Sequence, residues 1–127
     1  MILFHGTSSN LIPLILAEGL KDPHLTDDEL IADYFAEEAA EENGGEGVIL
    51  KIKIDDTDNL EADLAMYEEP LSFMLRNRGH SSEEEFWDTV DFPDNSDWEK
   101  SLSDVSSVRM IGTVDVESVM EEERGHG

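Results

Sequence analysis

The residues best suited to chemistry sit early in the chain, in Phe4-His5-Gly6-Thr7-Ser8 and again in Pro23-His24-Leu25-Thr26. An imidazole that leaves a short apolar strand, Ile2 to Phe4, for a Gly-Thr-Ser turn presents backbone groups and hydroxyls where a core strand would continue. That costs stability unless the turn binds something, because polar groups beside a core lose their water. The segment therefore reads as the floor of a nucleotide pocket. Blander alternatives stand beside it. His5 can be a core histidine at a strand end, and His24 a half-buried one with no duty. Tyr34 lies on the apolar side of a helix with Phe35, where packing accounts for it as well as a ligand does.

The elements that must position these groups follow from periodicity. Ser8, Ser9 or Asn10 caps a first helix with Pro13 in its opening turn and Gly19 at its C-terminal end. His24 to Thr26 reads as a brief strand. Thr26 then caps a second helix, with Asp27, Asp28 and Glu29 near its positive end and an apolar side of Leu30, Ile31, Tyr34, Phe35 and Ala39. Val48 to Ile54 is the clearest strand, apolar at first and then alternating. Residues 60 to 75 contain a helix broken near Pro70. Residues 76 to 104 read as an acidic, partly irregular insertion pinned by Phe86, Trp87, Phe92 and Trp98. Val105 to Val116 closes the sheet as one strand or two, and residues 117 to 124 read as a frayed helix.

Composition bounds the function. With 127 residues the expectation is one domain spanning 1–127. The 32 acidic and 8 basic residues give a net charge of −24, which opposes any long contact with a nucleic-acid backbone. That charge suits a basic protein partner, adaptation to high salt, or simple solubility. The chain has no cysteine, which excludes disulfides and thiolate chemistry. No run approaches the roughly 18 apolar residues of a membrane span, and no signal peptide is evident, so a cytoplasmic location without membrane attachment is expected. Four histidines without a Glu-x-x-His pattern give no metal site. His80 and His126 lie in loop and tail, and Asp55, Asp56 and Asp58 lack the spacing of a calcium loop.

Taken in order, Phe4-His5-Gly6-Thr7-Ser8, Ala17-Glu18-Gly19-Leu20, His24-Leu25-Thr26, Ala32-Asp33-Tyr34, Gly47-Val48-Ile49-Leu50-Lys51-Ile52 and Val108 to Val114 resemble the ADP-ribosyltransferase superfamily. The resemblance leaves out the acidic segment. It implies an α+β fold, a split, mostly antiparallel sheet with flanking helices and NAD in the cleft. His5 would then bond a ribose hydroxyl, Gly6 would pair with the nicotinamide carboxamide, and Tyr34 would stack on the nicotinamide ring. Thr7 and Thr26 complete the expected cofactor-binding set.

Two departures from the family pattern stand out. The second catalytic position, usually tyrosine, falls on His24. The third, usually glutamate, falls on Ser106 or Ser107, with Asp104 the nearest carboxylate. A His, His, non-acidic set is similar to the RNA 2′-phosphotransferase branch, but that branch holds RNA phosphate with several arginines. Here only Arg76, Arg78, Arg109 and Arg124 are present, with Arg109 alone beside the motifs. The favoured expectation is an NAD-dependent transferase acting on a macromolecule, with a protein as its target, in a small acidic chain of the kind phages encode. The alternative is a catalytically inactive acidic module that inhibits a basic partner by imitating nucleic acid, with Trp87 and Trp98 as its contact surface.

Overall fold

A computed structural model describes residues 1–114 and 119–122. The chain runs β1 (Ile2–Ser8), a short 3-10 turn (Ser9–Leu11), α1 (Ile12–Glu18), β2 (Leu20–Lys21), β3 (His24–Thr26) and α2 (Glu29–Asn43). It continues with β4 (Gly47–Lys53), β5 (Leu60–Ala62), α3 (Leu64–Glu68), α4 (Ser72–Asn77), α5 (Glu83–Thr89) and α6 (Trp98–Val105), and then β6 (Ser107–Met110), β7 (Thr113–Val114) and β8 (Val119–Glu122). The fold is α+β. Its main sheet has the order β5-β6-β3-β1-β4-β8 with every neighbour antiparallel, and β2 and β7 form a separate ribbon.

The central pair is β1 with β4, in unbroken register from Ile2–Lys53 to Ser8–Gly47. This corrects the expected turn at Gly6-Thr7-Ser8, because these residues are the second half of the strand. Their turn-like composition is overridden by long-range pairing. The Ser8 hydroxyl, expected to face a ligand, has partners in the fold. Ser8 is fully buried, donates to the Gly44 carbonyl at the end of α2, and accepts from the Asn10 amide. Ser9 Oγ accepts from the Glu46 amide at 2.9 Å. The end of β1 is thereby tied to the end of α2.

Helix α2 begins with Asp28 as its cap, whose carboxylate accepts from the Leu30 amide at 2.9 Å. Thr26 acts one step earlier than expected, accepting from the Asp28 amide and donating to the Ser106 carbonyl. Ala32 and Ala36 let α2 lie close on the sheet against Phe4 and Ile49. The opposite sheet face, with Leu3, Leu25, Leu50, Ile52 and Val108, forms the largest core with α1, α6 and the β2–β7 ribbon.

A second core lies among the helices. Ile31, Met66, Tyr67, Met74, Leu75, Phe86 and Val105 pack together, and Phe86 is completely buried. The acidic segment at 76–104 carries α5 and most of α6, joined by an irregular stretch at 90–97, and through Phe86 it closes this core while most of its carboxylates stay outside. The helix expected over 117–124 is also corrected where described, since Val119–Glu122 pairs with β4 as a strand. His126 and Arg124 lie outside the described residues.

Candidate functional site

Hydrogen-bond alternation along β1 decides what the site offers. The Ile54 amide donates to the Met1 carbonyl and the Ser9 amide to the Glu46 carbonyl, both at 2.7 Å. In an antiparallel ladder, alternate residues bond to the same neighbour. The odd residues of β1 therefore bond to β4, and Phe4, Gly6 and Ser8 direct their N–H and C=O to the other side. There β1 meets β3, but the register between them consists of Phe4 opposite Thr26. Beyond that pair the two strands part. Gly6 is left with its N–H and C=O aimed into the opening.

Over this opening lies a cavity of about 480 Å³, floored by β1 and β3 and walled by α2 and α3. Its lining includes His5, Gly6, His24, Thr26, Tyr34 and Ser107 from the expected set. It also includes Phe35, Glu38 and Glu42 from α2, and Asp63, Ala65 and Glu69 from the α3 region. Two expected residues are not in the lining. Thr7 is buried on the sheet face opposite Gly6. Ser106 caps α6 in a left-handed conformation (φ 58°), and its hydroxyl accepts from the Arg78 guanidinium.

His5 Nδ1 lies 2.9 Å from the His24 carbonyl. A carbonyl only accepts, so Nδ1 carries the proton and Nε2 keeps a lone pair. Burial lowers the pKa of His5, which keeps the ring neutral, against the raising effect of that carbonyl and with a smaller lowering effect from His24. His24 Nδ1 is 3.1 Å from Asp63 Oδ2. That hydrogen bond, above all, raises the His24 pKa. Desolvation and the Arg109 charge oppose it, and the Asp63 charge adds to it. The His24 ring is 54 % exposed, while Asp63 is 4 % exposed.

Asp63 is the residue that sequence reasoning missed. It caps α3 through Oδ1, which accepts from the Met66 amide, and its own amide donates to the buried Ser101 hydroxyl. Ser101 in turn donates to the Ser107 carbonyl at 2.6 Å. The carboxylate that bonds His24 is therefore Asp63. Asp104 is engaged elsewhere, accepting from the Tyr67 hydroxyl and Lys100. The one available signal was an aspartate directly ahead of the Leu64-Ala65-Met66 helix, which identifies a cap and nothing more.

Tyr34 sits edge-on to Phe35 at 5.3 Å and donates to Glu38, leaving its ring in the cavity wall. Among the described residues no helix is long and apolar enough to cross a membrane. Comparison with protein-family models, curated protein sequences and solved structures finds no match.

Proposed function

We propose that the chain is an NAD-binding ADP-ribosyltransferase that transfers ADP-ribose to a macromolecular target, a protein in preference to a nucleic acid. The observation that carries this is the parting of β1 from β3 beside Gly6. It leaves one N–H and one C=O side by side, the donor and acceptor that a carboxamide requires. A cavity of about 480 Å³ falls within the range of small-molecule sites. His5 Nε2 is available to accept from a ribose hydroxyl, and the Tyr34 ring can cover a planar cationic group. Glu38, Glu42, Asp63 and Glu69 line the same space, and carboxylates favour the positive charge that develops at the anomeric carbon when nicotinamide leaves. A net charge of −24 directs the search for a target toward proteins, basic ones first.

Calorimetry with NAD tests this directly. Wild type gives saturable heat, and His5→Ala weakens binding by about tenfold or more, the worth of one buried hydrogen bond. Heat below detection at millimolar NAD rejects the proposal. Mass spectrometry of lysate treated with the protein and NAD then identifies the target by an added ADP-ribose.

A second reading, an acidic module that imitates nucleic acid, is favoured by the partial exposure of Trp87 and Phe92. The Trp87 indole N–H is fixed to the Tyr67 carbonyl at 2.8 Å, so the ring is presented rigidly. It predicts salt-sensitive capture of a basic protein that persists in His5→Ala. An NAD-bound protein with no such partner excludes it.

A further inference from the structure

We propose that Asp63 and His24 form a working dyad, in which His24 is the general base that takes the acceptor's proton and Asp63 is its positioning residue. This rests on the ADP-ribosyltransferase reading above and adds to it the group that substitutes for the missing glutamate. Four observations carry it. Asp63 Oδ2 lies 3.1 Å from His24 Nδ1, and both residues line the cavity. Asp63 is almost completely buried and held at three points: Oδ1 by the Met66 amide, its own amide on Ser101, and Oδ2 on His24. A carboxylate accepts, so Nδ1–H donates and the lone pair sits on Nε2. Finally, the exposed ring reaches the same cavity as Gly6 and His5.

The step balances with water as the simplest acceptor. The bond from the anomeric carbon to the nicotinamide nitrogen breaks, and nicotinamide leaves with the electron pair. The water oxygen bonds to that carbon, and its proton passes to His24 Nε2. The imidazolium that results is balanced by the Asp63 carboxylate. A hydroxyl or amine of a target takes the place of water in transfer. Three groups face His24 besides the acceptor. Asp63 stands on the β5–α3 junction, Arg109 lies directly across on β6 with Glu61 of β5 as its own Cα partner, and His5 on β1 bonds the His24 carbonyl.

The test measures nicotinamide release from NAD against pH, with NAD binding followed separately by calorimetry. Asp63→Asn keeps an α3 cap of equal quality and removes the charge. It should weaken NAD binding no more than a few-fold, as the loss of one of four lining carboxylates requires, release bound nicotinamide about 100-fold more slowly, and move the acid limb of the profile to lower pH. His24→Gln should lose as much and abolish that limb, and the double variant should be no worse than His24→Gln alone. Asp63→Glu should recover part of the rate. Additive losses, or an acid limb unmoved by Asp63→Asn while wild type turns over NAD, overturn the dyad and leave the transferase reading standing. A wild type that binds no NAD overturns both. Binding without release of nicotinamide overturns the dyad alone.

Discussion

Replacing Gly6 by alanine separates the two demands that meet at this residue. A Cβ on Gly6 would lie 2.0 Å from the Ala32 carbonyl oxygen and 2.6 Å from the Ala36 amide nitrogen, both in the backbone of α2. Ordinary contacts need well over 3 Å, so α2 must retreat by about an ångström or more. Neither atom belongs to a flexible side chain that could rotate away, and the two are partners in one turn of the helix. Overpacking costs about 1–3 kcal/mol where side chains can adjust, and a backbone obstacle belongs at or above the upper end. For a domain of this length about 3 kcal/mol lowers the melting temperature by roughly 10 °C. Helix α2 also carries Tyr34 and Glu38 into the cavity wall, so its retreat widens the cleft and weakens any ligand held there.

Gly79→Ala supplies the control. That residue has φ +85°, and a Cβ there meets no atom within 4 Å, so its cost is left-handed strain alone, about 1 kcal/mol. Thermal melts by circular dichroism should rank wild type above Gly79→Ala and Gly79→Ala well above Gly6→Ala. A Gly6→Ala protein that melts with or above Gly79→Ala would refute the close approach of helix and strand. The glycine then has to be explained by ligand contact only.

Phe86→Ala should destabilise the protein by about 3–5 kcal/mol in urea titrations, because a completely buried ring is lost from the helical core; a change below about 1 kcal/mol would mean that residues 76–104 are appended to the domain and not part of its core. His24→Gln should reveal a pH-dependent stability difference. The folded pKa of His24 is raised by Asp63, so the charged pair stabilises fully below the unfolded value near 6.5 and that stabilisation is lost as pH rises through the folded value. Urea midpoints at pH 5.5 and 8.5 should show the larger gap from wild type at pH 5.5, and an equal gap at both would show that the pair does not couple to folding.

Much of the frame was legible in the sequence because its signals are local. Strand β4 announces itself by an apolar run that turns to alternation, and α2 by its acidic first turn and the Asn-Gly stop. The errors arise where distant partners outvote local composition. Gly-Thr-Ser has the chemistry of a turn, yet pairing with Gly47 to Ile49 holds it extended. The charge of 76–104 masks Phe86, which finds its neighbours on α2, α3 and α4. Glu121 and Glu122 suit a helix by propensity but extend the sheet beside β4. Asp63 is one acid among 32 acidic residues, and nothing marks it until the fold sets it against a histidine 39 positions earlier.

The charge of the cleft constrains how a dinucleotide could lie in it. Among the described residues the cavity lining contains four carboxylates, from Glu38, Glu42, Asp63 and Glu69, and neither lysine nor arginine. NAD carries one positive ring and a doubly negative pyrophosphate. Opposite charges attract, so the nicotinamide end belongs against these carboxylates and the phosphates belong at the mouth, in water. There the whole chain, at −24, repels them. Raising ionic strength from 0.01 to 0.15 M shortens the screening length from about 30 to about 8 Å, which weakens this long-range repulsion more than the short contacts inside. NAD affinity measured by calorimetry should therefore rise with salt over that range, opposite to a phosphate site built from arginines. An affinity that falls instead would put the pyrophosphate on a cation outside the lining, and Arg109, across from His24 on β6, is the nearest candidate for substitution.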